Sequence, residues 1–291
     1  MQTFSIIPNL DKVRALETSQ ALVNWLEERG LQVRLEKEIA AMLNRPELGH
    51  DEAAIMGGVD VIIVLGGDGT LLNVAKKAAA AESPILGVNL GHLGFLTEIE
   101  LPDLFSSLER VVNGRYLIER RMMVEAEVRR QGRQTDRFLA LNEVVISKGP
   151  FARLINLETY VDDNLVASYP GDGLIVATPT GSTAYSFSAG GPIVSPSIDV
   201  LVITPICPHS FYARSVIVSR DETVRVQVRA SHRETMITID GQRGYYLRPE
   251  DEIVVRRSQE EVRLIRLEGW SFYDVLRRKL RSGDQERNQD V

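Results

Sequence analysis

The residues Gly66-Gly67-Asp68-Gly69-Thr70 have the composition of a phosphate-binding turn. Glycine lacks the Cβ atom that would keep a bulky anion away from main-chain N–H groups, and it also permits positive φ. We therefore predict that this turn holds phosphate. Asp68 conflicts with a simple phosphate site, because a carboxylate repels phosphate unless a metal ion, a proton or an attacking hydroxyl group uses it. We expect chemistry at Asp68; the alternative is a tight turn in which Asp68 only caps the next helix.

A second candidate surface is the run from Thr178 to Tyr185, TPTGSTAY, which is followed by Gly190-Gly191-Pro192. Small hydroxyl residues and glycine supply hydrogen bonds and allow a close approach to the backbone, which suits a polar, sugar-bearing ligand. The alternative is a surface turn held by hydroxyl-to-backbone hydrogen bonds. The pair Asn142-Glu143 could contact a base edge and a sugar diol, but taken alone it is more typical of a solvated strand edge.

Several familiar sites are absent from the sequence. It contains no G-x-x-x-x-G-K-[ST], no G-x-G-x-x-G after a strand and no H-E-x-x-H. A strand-borne G-x-S-x-G nucleophile is missing too. The histidines (His50, His92, His209, His232) are too scattered in sequence to place in one metal site. Covalent catalysis has no candidate residue, and no metal ligands are predicted.

Composition limits the protein class and its partners. The 291 residues are enough for two domains with separate cores. A net charge of −6 argues against nucleic acid or anionic membranes as partners. A single cysteine, Cys207, fits a reducing compartment, and no apolar stretch approaches the roughly 20 residues of a spanning helix. We expect a cytoplasmic protein, in which Arg120-Arg121 and residues 277–279 are solvated or ion-paired charges.

The elements around the first turn follow a strand and helix alternation. Apolar runs predict strands at 4–7, 32–36, 59–65 and 85–89, and 3.6-residue periodicity predicts helices at 11–30, 70–81 and 102–114. This alternation is typical of a parallel, Rossmann-like sheet with helical crossovers. Ligands of such sheets bind beyond the carboxyl ends of the strands, which is where Gly66–Thr70 falls.

Beyond residue 114 the pattern changes to short strands. Period-two alternation or short apolar runs predict strands at 123–129, 144–146, 157–161, 174–177, 200–204, 223–229, 236–239, 253–256 and 262–267. We predict an all-β, two-sheet, sandwich-like domain, followed by a helix at 272–280 that packs back on the first domain. The predicted boundaries are 1–100 for the α/β phosphate-binding domain, joined by the helix 271–281, 101–270 for the β-rich domain, and 282–291 for a disordered tail.

Taken together, these motifs resemble those of the NAD kinase family. Gly66–Thr70, Asn142-Glu143 and the long run from Asp172 to Pro192 occur in the family's order, and Pro205, Pro208-His209-Ser210 and Asp240-Gly241-Gln242 add to the match. GGDGT alone is shared with lipid and sphingosine kinases and, in related form, with phosphofructokinases. The threonine- and serine-rich run separates NAD kinases from these.

The resemblance implies a function and a set of site residues. It implies transfer of the γ-phosphoryl group of ATP to the 2′-hydroxyl of the adenosine ribose of NAD, with Mg²⁺ on the phosphates, in the cleft between the domains. Asp68 matches the general base. Asn142 and Glu143 match contacts to the adenosine half of NAD, and Asp172 matches a contact on the nicotinamide side. The remaining implied ligand-binding residues are Gly66, Gly67, Gly69, Thr70, Phe95, Arg153, Thr180, Thr183, Ala184, Tyr185, Ser186, Ser188 and Gln242.

Two rival functions stay open on the sequence. A lipid or sphingoid kinase would use the same GGDGT turn, and a non-catalytic dinucleotide sensor would keep the pocket without turnover, although the presence of Asp68 disfavours it. Some NAD-preferring members carry an arginine just before the position of Asp172, where this chain has Pro170 and Gly171. The use of NADH, the phosphoryl donor (ATP or polyphosphate), regulation by NADP(H) and the choice between homodimer and homotetramer are therefore left open.

Overall fold

The computed structural model describes residues 2–91, 94–149, 153–210, 213–229 and 234–287. They form two compact units. Unit 1 comprises Met1–Arg120 and Val262–Val291, and unit 2 comprises Arg121–Glu261. These limits differ from the predicted boundaries after residues 100 and 270. The first difference arises because the helix Leu104–Val112 buries its apolar face in the core of unit 1.

Unit 1 is an α/β structure with a parallel sheet, as predicted. Its elements are β1 (Thr3–Pro8), α1 (Ala15–Glu27), β2 (Gln32–Glu36), α2 (Lys37–Met42), β3 (Gly49–His50), α3 (Glu52–Met56), β4 (Val61–Gly66), α4 (Asp68–Ala80), β5 (Ile85–Asn89), β6 (Ile99–Glu100) and α5 (Leu104–Val112). Neighbouring strands follow the order β3-β2-β1-β4-β5-β6, all parallel. β4 and β5 are buried along their whole length, which explains why their sequences are apolar up to Asn89, the last residue of β5.

Helix α1 is shorter than the predicted helix 11–30. The Asn9 side chain accepts a hydrogen bond from Asp11 N at 3.0 Å, and Lys12 N donates to Asn9 O at 3.0 Å. These turn bonds compete with the helix, which therefore begins only at Ala15. At the other end, Gly30 adopts φ +69°, and Leu31 N donates to Leu26 O at 3.1 Å. A left-handed glycine therefore ends the helix region, as the sequence predicts.

Unit 2 is an all-β structure with two sheets, as predicted. Its elements are β7 (Leu117–Arg130), β8 (Arg133–Ala140), β9 (Glu143–Lys148), β10 (Ile155–Val161), β11 (Asn164–Gly171), β12 (Gly173–Ala177), α6 (Tyr185–Ser188), β13 (Val200–Ile206), β14 (Val216–Ser219), β15 (Val224–Arg229), β16 (Thr235–Ile239), β17 (Arg243–Leu247) and β18 (Glu252–Arg266). One antiparallel sheet has the order β14-β13-β12-β9-β16-β17. The other contains β11-β10-β15-β18, with β7 paired to β18 and β8 paired to β7.

A single apolar core lies between the two sheets of unit 2. It combines residues of one sheet, such as Val144 and Val176, with residues of the other, such as Leu157, Val226 and Val255. Alternation along β7 and β15 puts every second side chain into this core. The predicted alternation of valines with charged residues at 224–229 therefore corresponds to one buried face and one partly exposed face.

Four strands of unit 2 were not predicted from the sequence. These are β8, β11, β14 and β17, and most of their residues are exposed or only half-buried. Because exposed strands need no regular apolar face, they leave a weak pattern in the sequence. The opposite error occurs at β18, where two predicted strands form one. The polar residues between them stay extended because β18 also pairs with β7.

The C-terminal helix α7 (Phe272–Arg287) packs on unit 1, as predicted. The Phe272 ring lies 5.9 Å from the Phe95 ring, and Val275 is buried. The helix extends to Arg287, into the segment 282–291 for which disorder was predicted, and residues 288–291 lie outside the described residues.

Within the described residues, no helix is both long enough and apolar enough to span a membrane.

Candidate functional site

The turn Gly66–Thr70 joins the last residue of β4 to the first turn of α4. α4 begins at Asp68, and the preceding Gly67 is extended, with φ −121° and ψ −170°. Gly66, Gly67 and Gly69 all lack positive φ. The expectation that these glycines supply left-handed conformations is therefore wrong, and another reason must explain why three glycines stand here.

The space around each glycine gives that reason. A Cβ atom added to Gly66 would overlap the Thr70 side chain, so Gly66 is required by internal packing. Added to Gly67 or Gly69, the same atom would meet no described residue within 4 Å. Within the described part of the chain, neither backbone conformation nor packing therefore requires glycine at these two positions. Their bare backbone leaves room for a bulky group at the N-terminus of α4, where the helix dipole favours an anion.

Asp68 is held by backbone amides and does not cap its own helix. Its carboxylate accepts hydrogen bonds from Phe95 N at 2.7 Å, Leu96 N at 3.1 Å and Thr97 N at 3.3 Å. The N-cap position of α4 is Gly67, and the hydrogen bonds to the Asp68 carboxylate come from residues 95–97 and not from the amides of α4, so the capping alternative is wrong. The three donors fix the orientation of the carboxylate, which stays half-buried at the start of the helix.

Gly94 makes this arrangement possible. A Cβ atom added to Gly94 would overlap the Asp68 carboxylate. The side chain of Asp68 therefore occupies the space that any larger residue at position 94 would fill. Gly94 was not among the predicted site residues. The one signal in the sequence was that it directly precedes Phe95, which was.

Other polar residues lie at the same edge of the parallel sheet. Asn9, directly after β1, donates from Nδ2 to Thr70 Oγ1 at 3.0 Å. Asn89, at the end of β5, pairs in register with Gly66 and accepts from Gly91 N at 2.9 Å. Because β1, β4 and β5 are adjacent and parallel, their carboxyl ends meet here. The described part of unit 1 therefore has its polar loops where ligands of such sheets bind.

In unit 2, antiparallel pairing brings three separate motifs to one edge of the six-stranded sheet. Ala177, at the end of β12, pairs with Glu143, at the start of β9. Ile239, at the end of β16, pairs with Val144 on the other side of β9. The segments that follow these strand ends are Thr178–Tyr185 and Asp240–Gln242. Both therefore lie beside Asn142-Glu143, although they are far apart in sequence.

Asp240 fixes the Asn142-Glu143 pair. It stands with Gly241 in a hairpin turn in which both residues have positive φ, +50° and +67°, as in type I′ turns. From there its buried carboxylate accepts from Leu141 N at 3.1 Å, Asn142 N at 2.8 Å and Glu143 N at 3.1 Å. Asp240 was noted in the sequence only as part of the family match, and its structural role was not predicted.

Glu143 is a buried carboxyl group with an unused oxygen. Its side chain is 5% exposed, and among the described residues Oε2 has no hydrogen-bond partner. Burial, reinforced by the nearby charge of Asp240, raises the pKa of Glu143 to about 8. The alternative of a solvated strand edge is therefore wrong for Glu143. A buried acceptor without a partner is the kind of group that a ligand hydroxyl satisfies.

Hydroxyl groups of the Thr178–Tyr185 loop mainly hold the loop itself. Thr178 Oγ1 donates to Leu141 O at 2.6 Å, and Ser182 Oγ donates to Pro179 O at 2.7 Å. Gly181 packs against the backbone of Asn142, where a Cβ atom would overlap the carbonyl oxygen. The hydroxyl-to-backbone hydrogen bonds expected of a surface turn are thus present, and they hold the loop against Leu141 and Asn142.

Predicted ligand contacts in this loop differ in accessibility. Ser186 is fully buried, and its hydroxyl lies 2.9 Å from Thr204 Oγ1. Thr180 is also buried and accepts from Arg121 at 3.2 Å. These two side chains are committed to internal bonds. The other predicted contacts are half-buried or exposed and can reach a ligand: Thr183, Ala184, Tyr185 and Ser188.

Asp172 and Arg153 lie at the other end of the strands from this loop. Asp172 precedes β12, whereas Thr178 follows it, and the six residue steps between them span about 20 Å of extended chain. Lys148 Nζ forms an ion pair with Asp172 at 2.8 Å. Arg153 is exposed and lies two residues before Ile155, which pairs with Gly171. Gln242 is exposed in the turn after Asp240.

Arg121 corrects half of one expectation. The sequence suggested a solvated or ion-paired charge; Arg121 is not solvated, because it is only 2% exposed, and it contacts the Thr180 hydroxyl within unit 2. The described residues contain no group of three or more histidines, cysteines or acidic residues that could hold a metal ion. His92 and His232 lie outside the described residues.

Comparisons with known proteins identify the family. The ATP-NAD kinase N-terminal domain matches residues 4–116, and the ATP-NAD kinase C-terminal domain matches residues 141–267. An NAD kinase of Caldanaerobacter subterraneus is 47% identical over 96% of this chain and 99% of its own length. One from Moorella thermoacetica is 46% identical over 100% of this chain and 93% of its own length.

Solved structures give the same result for the fold. Yeast NADH kinase complexed with NADH matches with a TM-score of 0.84 and 26% identity, over 95% of this chain and 86% of that one. An NAD kinase from Archaeoglobus fulgidus in complex with ATP matches with a TM-score of 0.74 and 25% identity, over 97% and 99%. From its sequence motifs, its two domain matches and these relatives, the chain belongs to the NAD kinase family.

Proposed function

We propose that this chain transfers the γ-phosphoryl group of ATP to the 2′-hydroxyl of the adenosine ribose of NAD, with Asp68 as general base. The ATP-dependent phosphorylation of NAD to NADP rests on family membership. The role of Asp68 is supported by one observation: three amides orient its carboxylate at the N-terminus of α4, beside glycines that face open space.

In this proposal the N-terminus of α4 binds the ATP phosphates. Gly67 and Gly69 leave the main chain accessible, and the helix dipole favours negative charge there. Mg²⁺ enters as part of the substrate MgATP, because Mg²⁺ is commonly held by substrate phosphates with few protein carboxylates. Asp68 accepts the proton of the attacking hydroxyl group.

For NAD we propose the sheet edge of unit 2 that carries Asn142 and Glu143. The unpartnered Glu143 Oε2 can accept a hydrogen bond from a ribose hydroxyl. Thr183, Ala184, Tyr185 and Ser188 line the same edge with accessible atoms. Asp172 and Arg153 contribute to NAD binding at the opposite end of the strands.

The decisive experiment is an assay of NADP formation by purified protein with ATP, Mg²⁺ and NAD. Asp68→Asn should lower kcat by ~10²-fold to 10⁴-fold and leave the affinity for NAD within about tenfold, because a general base acts mainly on the transition state. Asp60→Asn is the matched control. Asp60 also accepts a backbone N–H, from Thr3 at 2.7 Å, but it directly precedes β4 at the opposite end of that strand. An Asp68→Asn enzyme with near-normal kcat would refute the role of Asp68.

The same assay addresses substrate choice. Some family members carry an arginine just before Asp172, but an added Cβ atom at Gly171 would lie 3.0 Å from Ile206 O and 3.1 Å from Pro208 Cα. A larger side chain therefore does not fit here without movement of the backbone. Assays with NADH in place of NAD, and with polyphosphate in place of ATP, give the acceptor and donor range.

Assembly and location complete the proposal. We propose a homodimer or homotetramer in the cytoplasm. Among the described strands, β11 and β14 end their sheets and expose apolar side chains such as Leu165 and Ile217, which supports contacts between copies at these edges. The single cysteine, which is exposed, fits a reducing compartment. Light scattering gives the mass of the assembly, and cell fractionation gives the location.

A further inference from the structure

Arg266, the last residue of β18, is buried in unit 1 beneath the segment that holds Asp68. Its side chain is only 5% exposed. The guanidinium group donates to Phe95 O at 3.3 Å and to Leu96 O at 3.2 Å. Sequence analysis gave no role to this residue, and the proposed reaction does not use it directly.

The carbonyls that Arg266 binds belong to the peptide groups that bind Asp68. The peptide group between residues 95 and 96 offers its oxygen to Arg266 and its N–H to Asp68 Oδ1. The next peptide group, between residues 96 and 97, does the same. Since a peptide group is planar, fixing its oxygen also fixes the direction of its N–H. A cation at the oxygen also polarises the group, which strengthens the hydrogen bond that its N–H donates.

Arg266 is itself firmly placed. Its Nε donates to Glu119 at 2.7 Å, and NH1 donates to the buried Glu98 carboxylate at 3.0 Å. Glu98 in turn accepts from Leu267 N at 2.7 Å, which ties the end of β18 to the segment 95–98. The Trp270 ring stacks on the guanidinium group, with 3.8 Å between the ring centroid and Cζ. A buried arginine with these partners has little freedom to move.

From this geometry we infer that Arg266 is a positioning residue for Asp68, acting through the two peptide groups of residues 95–97. The inference rests on the proposed function, because it matters for catalysis only if the orientation of Asp68 does. Asp68 remains the catalytic residue in this inference, and Arg266 acts on it through the two peptide groups. Its loss should leave Asp68 present but free to turn away from the attacking hydroxyl group.

The test is a double-mutant cycle on kcat. Arg266→Met should lower kcat by ~10-fold to 100-fold with KM for NAD within about threefold, because a small displacement of a catalytic group costs rate more than binding. Arg266→Lys keeps the charge and should recover part of the loss. In the Asp68→Asn background the same Arg266→Met change should alter the residual kcat by less than about twofold, because the group it positions is no longer a base.

Two further variants keep the test decisive. Arg263→Met, on the same strand, removes an arginine that pairs with Glu82 at the surface, and it should leave kcat unchanged. Trp270→Leu removes only the stacking partner of Arg266. Like Arg266→Met, it should lower kcat, here severalfold. It therefore tests the inference even if Arg266→Met does not fold. Thermal unfolding of each variant reports on folding separately.

Each outcome has a defined meaning. Equal fold losses from Arg266→Met in the wild-type and Asp68→Asn backgrounds would overturn the inference, because a purely structural role lowers both activities alike. An unchanged kcat in Arg266→Met, or in Trp270→Leu where only that variant folds, would overturn it too. Full activity in Asp68→Asn alone would instead refute the proposed base, which distinguishes failure of the function from failure of this inference.

Discussion

Gly67 and Gly69 in unit 1 face open space, whereas Gly181 and Gly191 in unit 2 face packed neighbours. A Cβ atom at Gly181 would overlap the Asn142 carbonyl, and one at Gly191 would overlap the Ser186 hydroxyl and lie 2.7 Å from Thr204 Oγ1. Gly181 and Gly191 therefore serve the protein's own packing. Gly67 and Gly69 leave space that nothing in the described chain fills, which is what a site for a substrate phosphate requires.

For the carboxyl groups the comparison is reversed: the one in unit 1 is satisfied by the protein, and the one in unit 2 is not. Asp68 is bonded to three amides within unit 1, while Glu143 in unit 2 keeps an oxygen without a partner among the described residues. An orienting cage suits a group that must point at one reacting atom. A buried, unsatisfied acceptor suits a group that binds a ligand hydroxyl. Unit 1 thus combines an oriented carboxylate with open space at its glycines. Unit 2 combines packed glycines with a carboxyl oxygen that a substrate hydroxyl group would satisfy.

The largest effect on activity that would test this comparison is expected at Gly94. Gly94→Ala should lower kcat by about 10²-fold, because the new methyl group takes the place of the Asp68 carboxylate. The control is Gly91→Ala in the same loop, where an added Cβ atom would meet only the flexible Lys12 side chain at 3.9 Å. Steady-state kinetics give both values, and comparable activity in the two variants would show that the cage around Asp68 is dispensable.

Glu143→Gln should change the pH dependence of stability. Because the folded-state pKa of Glu143 is raised to about 8 from 4.5, the folded protein retains a proton that the unfolded chain loses between these values. The free energy of unfolding of the wild type therefore contains a cost that grows from pH 4.5 to pH 8 and is then constant. The glutamine variant lacks this cost.

Urea unfolding at several pH values measures the difference. Glu143→Gln should match the wild type near pH 4 and exceed it by about 4 to 5 kcal/mol at pH 8 and above, at about 1.4 kcal/mol for each unit of the pKa shift. Parallel stability curves for the two proteins across this range would mean that Glu143 is not buried as described. In the same variant, weaker NAD binding would support the proposed hydroxyl contact.

Alanine substitutions at Gly69 and Gly181 should have opposite effects on stability, because the first glycine faces open space and the second faces packed atoms. Gly69→Ala lies in the first turn of α4 and should raise the free energy of unfolding by up to about 1 kcal/mol, since alanine favours helix. It should still raise KM for ATP about tenfold or more, because the methyl group enters the proposed phosphate space. Gly181→Ala should instead lose about 1 to 3 kcal/mol of stability through overpacking. If both variants lost stability equally, the distinction would fail.

The smallest effect is expected at the buried Ser186–Thr204 hydroxyl pair. Thr204→Val removes this hydrogen bond and should cost about 1 kcal/mol of stability, with KM for NAD within about threefold. Thermal unfolding and steady-state kinetics check the two expectations. A tenfold rise in KM would instead make this hydroxyl pair part of the NAD site.

The sequence predicted elements whose buried faces repeat regularly. β4 and β5 are continuous apolar runs, and the valines of β15 alternate with polar residues, so their type was readable without the fold. β11 and β17 were not predicted, because most of their residues are exposed and no apolar repeat marks them. The C-terminal helix was predicted, yet nothing in its sequence specified Phe95 as the ring that Phe272 contacts.

For the site, sequence alone determined the candidate motifs and their chemistry: an oxygen base beside bare glycines, and hydroxyl-rich and acidic segments suited to a sugar-bearing ligand. Only the tertiary structure decided which atoms meet. Strand pairing brought Asp240 to Asn142-Glu143, and the end of β18 brought Arg266 to the amides that hold Asp68. These contacts join residues far apart in the chain, and their distances depend on sheet register and burial, which no local pattern of residues encodes.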